Sequence, residues 1–237
     1  MRAEVTDLPR KPLSRINSSI NQEMERYSPS ARKIIFAAQQ LFAEKGIDAV
    51  SLREIATAAG HANNSAVQYH FQSKEGLIQA IFDLRIPFLE SARQRHIDSL
   101  GEHGHSLEDL LAALLFPILE MFDAQEQRIF TLFSSHLLSR DTLDHPFYHA
   151  QDRMPVTTRL NRMIEDSLDH LPKQVFAFRF RLVSGFFLST LLERQNTQRS
   201  RKSPYADDSV FWGDMINVLA AMLREPFRAE GRALLPL

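Results

Sequence analysis

The stretch Leu52-Arg-Glu-Ile-Ala-Thr-Ala-Ala-Gly60, followed after two residues by Asn63-Asn-Ser-Ala-Val-Gln-Tyr-His-Phe71, decides how this chain is read. Ser51 with Glu54 makes a capping box, and Leu52, Ile55, Ala56 and Ala59 recur at helical spacing behind it. Gly60 closes that short helix, and Asn63 or Asn64 caps a third reaching His70. At 100° per residue, Ala66, Val67 and His70 fall on one arc, and Asn64, Ser65, Gln68 and Tyr69 on the opposite one. A short helix with one apolar face and one face of hydrogen-bonding side chains suits a helix-turn-helix. It packs on two helices and offers its other side to the major groove.

Upstream, Ser28-Pro29 is a cap and first-turn pair. Ala31, Ile34, Ile35, Ala38, Leu41 and Phe42 then form a stripe that Gly46 ends. Downstream, Ser73 caps a fourth helix with Leu77, Ile78, Ile81, Leu84 and Phe88 on one face, which Pro87 bends or divides. Residues 1–27 hold two prolines and no lasting period, and are expected to be a mobile arm with basic Arg2, Arg10, Lys11 and Arg15.

Beyond Gly104 the pattern is helical throughout: from Ser106 to about Asp123 with Pro117 inside, near Glu126–Ser139, near Thr157–Asp169, from about Lys173 to Gln195, and from about Asp208 to Arg224. The polar run Asn196–Asp208 reads as a loop. The expected organisation is all-α: an arm (1–27), a helix-turn-helix DNA-binding domain (28–75), a helical ligand-binding and dimerisation domain (76–225) and a tail (226–237).

Composition sets bounds. Net charge is −1 and cysteine is absent, which removes disulfides and thiolate metal sites. Between Ser28 and Glu75 the cations Arg32, Lys33, Lys45, Arg53 and Lys74 barely outnumber Glu44, Asp48, Glu54 and Glu75. DNA binding therefore rests on placement of residues, since bulk charge does not supply it. No run of about 18 uninterrupted apolar residues and no basic-then-apolar leader is visible, so a cytoplasmic location without membrane contact is expected. No Gly-x-Ser-x-Gly, phosphate-cradling glycine loop or metal triad supports an enzyme. The histidines His96, His103, His105, His136, His145, His149 and His170 include only one close pair, His103-Gly-His105, and neither a metal nor a cofactor is expected.

The quoted segments, continued by Gln72-Ser-Lys-Glu-Gly-Leu77, resemble the DNA-binding signature of the tetracycline-repressor (TetR) family from about Ser30 to Phe82. The run Tyr69-His70-Phe71 before Ser73-Lys74-Glu75 is the most specific part. The turn from Gly60 to Tyr69 is one residue longer than the commonest family spacing, and Gln68 stands where the family often has a phosphate-binding Tyr. The resemblance implies a homodimer on a pseudo-palindromic operator, most commonly a repressor, released by a small molecule bound in the larger domain. By that mapping Ser51, Arg53, Tyr69, His70 and Lys74 touch the DNA backbone, while Asn64, Ser65 and Gln68 read bases, with Asn63 beside them.

Two C-terminal helices are apolar on two sides, which asks for burial on two sides. The expected dimer interface is Phe176, Phe180, Val183, Phe187 and Leu191 with Phe211, Met215, Val218 and Met222. Phe178, Leu182 and Phe186 make nearly a second stripe, and Trp212, Ile216, Leu219 and Leu223 stand beside the last set. Candidate ligand-wall residues are Phe116, Met121, Phe122, Phe130, Phe133 and Met163, with Arg128, His136, Arg159 and Arg179 as polar anchors. The rival readings are a helical interaction module that binds no DNA and an all-helical enzyme.

Overall fold

The structure is a computed structural model that describes residues 16–101, 105–120, 124–140, 146, 150–200, 204, 205 and 207–228. Every regular element among them is a helix. The N-terminal part comprises α1 (Ile16–Met24), α2 (Pro29–Lys45), α3 (Leu52–Ala58) and α4 (Ser65–Phe71), with α5 (Lys74–Asp83) and α6 (Ile86–Leu100) leading away. The C-terminal part comprises α7 (Leu107–Glu120), α8 (Ala124–Leu138), a 3-10 turn at Gln151–Arg153, α9 (Pro155–Asp166), α10 (Lys173–Ser200) and α11 (Asp208–Arg224).

Local chemistry fixes the helix ends. The Ser28 hydroxyl accepts the Ala31 N–H at 3.2 Å, Ser51 accepts that of Glu54 at 3.2 Å, and Ser73 accepts that of Gly76 at 3.0 Å. Gly46 closes α2 at φ +86°, and its N–H reaches the Phe42 carbonyl. Pro87 lies in the first turn of α6, so the chain breaks after Asp83 and restarts there.

Two apolar cores result. The first gathers Ile34, Ile35, Phe42, Ile55, Val67, Leu77 and Ile81, and continues into Phe88, Leu89, Phe130, Phe133 and Leu137. Helices of seven residues bury too little surface to hold a core alone, so α2 packs extensively on α8, where Phe42 stacks on Phe133 with ring centroids 6.2 Å apart. The expected division at residue 75 is therefore no gap in packing. The second core joins α7, α9, α10 and α11 through Leu111, Leu160, Ile164, Val183, Phe187, Trp212 and Leu219.

Two expectations need correction. Part of the supposed arm is the helix α1, whose Met24 is buried and whose Ile20 packs against the first core. One i,i+4 pair is too little to register as periodicity, and packing against α6 supplies the stability that local propensity does not. The supposed loop after Gln195 begins five residues later, because α10 continues to Ser200. There the Thr197 hydroxyl bonds back to the Glu193 and Arg194 carbonyls, and Arg194 is held by Asp208 at 2.6 Å.

Candidate nucleic-acid interface

Helix α4 is inserted by its apolar side and displayed by its polar side. Val67 is fully buried and Phe71 nearly so, while Ser65, Gln68 and Tyr69 are exposed, Tyr69 by 83%. Asn64, Ala66 and His70 are half-buried. The His70 ring lies edge-on to Tyr69 at 5.0 Å and tilted to Phe71 at 6.1 Å, which limits the freedom of the tyrosine. Asn63 supplies the local cap, its Oδ1 accepting the Ser65 N–H at 2.9 Å, whereas Asn64 makes no capping bond. Asn63, Ser51 and Arg53 are exposed near the same helix pair. Gly60, at φ +82°, makes the turn between α3 and α4.

The end of α4 is fixed by an unusual bend. Gln72 adopts φ 65° and ψ −47°, and the Ser73 N–H reaches back to the Phe71 carbonyl at 2.7 Å, a three-residue turn of the strained hand. This folds α5 so tightly onto α4 that a Cβ at Gly76 would lie 2.2 Å from the Phe71 oxygen. The glycine after Ser73-Lys74-Glu75 is thus required by close approach of backbone.

Lys74 is half-buried, and its Nζ donates to the Ile47 carbonyl at 3.0 Å, tying the α2–α3 loop to α5. An ammonium has three donors, so two remain beyond this bond. Nothing in the spacing marked this tie, which joins residues 27 apart. Arg140, beyond α8, reaches Asp48 at 3.3 Å and Glu75 at 3.7 Å and fastens the C-terminal part to the same loop. At the joint itself, buried Arg85 donates to Gln39 Oε1 at 2.5 Å and lies over the Phe130 ring at 4.9 Å. Burial lowers its guanidinium to about 10, against the nearby Glu126 charge.

Phe130 and Phe133 sit in the first core and Phe116 in the second, with Met163 packed half-buried against it. These four do not share one wall. Met121 and Phe122 lie outside the described residues, as do His103, His145 and His149. Arg159 is exposed and His136 half-buried, while Arg179 Nη1 donates to the Leu223 carbonyl at 3.3 Å at the end of α11. His96 pairs with Glu120 at 2.6 Å and His170 with the Arg224 carbonyl at 3.2 Å. No cluster of three metal-binding side chains occurs among the described residues.

On α10, Phe176, Val183, Phe187 and Leu191 are buried within their own chain, as is Phe211 on α11, and Phe180 is half-buried. The stripe that stays uncovered is Phe178, Leu182 and Phe186, exposed by 56, 48 and 41%. On α11, Val218 is exposed, and Met215 and Met222 are half-buried. Lys173–Thr197 is long and apolar enough, by length and composition alone, to cross a bilayer, but Arg179, Arg181 and Arg194 interrupt it.

Residues 34–81, from α2 to α5, match the family described as bacterial regulatory proteins, tetR family. Residues 34–81 thus form a helix-turn-helix domain of the tetR type. The HTH-type transcriptional repressor BepR of Brucella suis biovar 1 (strain 1330) is 31% identical over 142 residues, which is 57% of this chain and 59% of that protein. The match thus spans less than two thirds of the relative. Among solved structures, a tetR-family regulatory protein from Rhodococcus RHA1 aligns over 83% of this chain and 98% of its own at 21% identity and a TM-score of 0.47. The fatty acid degradation regulator FadR of Bacillus halodurans aligns over 85% and 98% at 16% identity and a TM-score of 0.48.

Proposed function

We propose that this protein is a cytoplasmic, homodimeric transcriptional repressor that leaves a pseudo-palindromic operator when a small molecule binds its C-terminal part. The observation that carries the reading is α4: a helix anchored by Val67 and Phe71 with Ser65, Gln68 and Tyr69 directed to solvent, inside a domain that matches the TetR family. In this reading Asn64, Ser65 and Gln68, flanked by Asn63, meet base edges, where amide side chains bind adenine in two-pronged fashion. Ser51, Arg53, Tyr69, His70 and the free donors of Lys74 hold phosphates on either side. The repressor sense follows the name of the Brucella relative.

The dimer is assigned to the uncovered stripe Phe178, Leu182 and Phe186 of α10 with Val218, Met215 and Met222 of α11, two helices from each copy forming a four-helix seam. An apolar row of this kind on a water-facing helix needs a partner surface. For the effector, Arg128 Nη1, Thr158 Oγ1, Asn161 Oδ1 and Gln195 Oε1 are buried without hydrogen-bond partners on α8, α9 and α10. Each orphaned group costs about 1–3 kcal/mol, which favours a ligand with polar groups over a purely apolar one.

A gel shift against DNA flanking the protein's own gene, at 50 mM and 200 mM salt, tests the reading. A sharp complex that weakens with salt is expected, and no shift at the lower salt favours the interaction-module alternative. Sedimentation of Leu182→Glu tests the seam: the wild type runs as a dimer and the variant as a monomer.

A further inference from the structure

Between the two parts of the molecule lies a cleft of about 340 Å³. Its walls come from three separate stretches of chain: Glu23, Arg26 and Tyr27 at the end of α1, Asp83, Leu84, Ile86, Pro87 and Glu90 around the α5–α6 break, and Arg153 in the turn before α9. Leu84, Ile86 and Pro87 contribute its apolar surface, together with the Tyr27 ring.

The charges are arranged by depth. The Glu23 and Asp83 side chains are 17 and 23% exposed, whereas their partners Arg26 and Arg153 are 74 and 50% exposed. The acids thus belong to the wall and the guanidiniums to the rim. Arg153 grips Asp83 with both nitrogens, at 2.8 and 2.9 Å, while Gln79 donates to the same carboxylate at 2.6 Å. Arg26 meets Glu23 at 2.8 Å. The third carboxylate, Glu90, is occupied by the Val156 and Thr157 N–H groups at 2.7 and 3.1 Å. Burial raises the Tyr27 phenol above its usual range, and Asp83 and Glu23 raise it further against the smaller opposing effects of Arg153 and Arg26.

We infer that this cleft is a binding site, separate from the effector site proposed above, for a small organic cation bearing a protonated amine. The ammonium takes the place of the Arg153 guanidinium on Asp83, and the organic part lies on Tyr27, Leu84 and Pro87. A cation over an aromatic face and beside a carboxylate satisfies both walls at once. An anion that passes Arg26 and Arg153 at the rim meets three carboxylates along the wall, and a neutral molecule leaves Asp83 to Arg153. Binding undoes the only described ion pair between the Gln151–Arg153 turn and α5. It also presses on Tyr27, whose ring stands 6.2 Å from that of Phe71 at the end of α4. If α4 reads DNA as proposed, occupancy of the cleft is felt at the reading helix.

The test uses the full-length protein without DNA, so its outcome is independent of the regulator reading. Benzylammonium, benzyl alcohol and benzoate are titrated by calorimetry at low salt. Benzylammonium is expected to bind in the millimolar range and the other two at least tenfold more weakly. Asp83→Asn and, separately, Glu23→Gln weaken it about fivefold or more. Arg153→Ala, which removes the competing rim cation, tightens it about threefold, an effect that loss of a merely structural contact does not produce. Equal binding of benzoate, or an Arg153→Ala protein of native circular dichroism that binds no tighter than wild type, overturns the inference.

Discussion

Val67 and Tyr69 are two residues apart on α4 and face opposite ways, so truncating each separates folding from DNA reading. Val67 is fully buried in the core that joins α2, α3 and α4. Val67→Ala removes two methyl groups, worth about 0.8 kcal/mol each in transfer, plus the cavity left behind, about 2–3 kcal/mol in all. For a chain of this length that is a fall in Tm of about 4–12 °C, at roughly 2–4 °C per kcal/mol. Tyr69 is 83% exposed, with its ring edge-on to His70, so Tyr69→Ala changes stability by less than about 0.5 kcal/mol. In the proposed docking its hydroxyl meets a phosphate, a bond worth about 1.5 kcal/mol. Two copies in a dimer make the loss in operator affinity about a hundredfold. Thermal melts followed by circular dichroism and fluorescence anisotropy with labelled operator read the two effects separately. A Tyr69→Ala protein that binds DNA as tightly as wild type, or that melts as early as Val67→Ala, refutes the assignment of faces.

Gly76→Ala places a Cβ against the Phe71 carbonyl, so about 1–3 kcal/mol of overpacking is expected together with loss of operator binding as the end of α4 is displaced, both measurable on one preparation. Lys74→Ala removes the bond to Ile47 and should lower stability by about 1.5 kcal/mol, weaken binding on every DNA sequence, and flatten the log–log salt slope by about two, roughly one for each copy in the proposed dimer. An unchanged melting temperature would mean that the tie carries no stability. Glu108, whose carboxyl is held below its usual value chiefly by hydrogen bonds from Arg224, joins the start of α7 to the end of α11. Because the folded value is depressed, its contribution is fully present above the unfolded value of about 4.5 and is lost as pH falls through the lower folded value. For this partly exposed pair the contribution is about 0.2–1 kcal/mol. Glu108→Gln should therefore lower stability at pH 7, by an amount that shrinks as pH falls through the folded value of the carboxyl, as read from urea melts.

The helix-turn-helix was legible because its ends are written in single residues: Ser28, Ser51 and Ser73 as caps, Gly46 and Gly60 as stops, Pro87 as a break. Each acts through a local bond that spacing reveals. What stayed hidden depends on contacts between distant segments. Met24 has meaning only against α6, and Phe133 only against Phe42, so neither α1 nor the share of α8 in the first core was readable from periodicity. Helix α10 shows the same limit more sharply. Two apolar stripes were visible, but nothing in their composition told which faced the chain's own core; packing against α8 and α11 took Val183 and Phe187 inward and left Phe178, Leu182 and Phe186 outside. Phe116 lies in a different core from Phe130 and Phe133 for a related reason, since a buried aromatic at helical spacing serves whichever core it meets. The orphaned atoms of Arg128, Thr158, Asn161 and Gln195 carry more information about a ligand, and only three-dimensional packing exposes them.

Selection of random DNA duplexes on the wild-type protein and on Gln68→Ala decides whether α4 reads DNA. The wild type should enrich an inverted repeat whose half-sites lie about 10–10.5 base pairs apart, or a multiple of that. Gln68→Ala should keep the repeat and its spacing while losing preference at one base pair in each half. Enrichment of no inverted repeat, or the same preferences at every position after the substitution, would contradict the assignment of α4 as the reader.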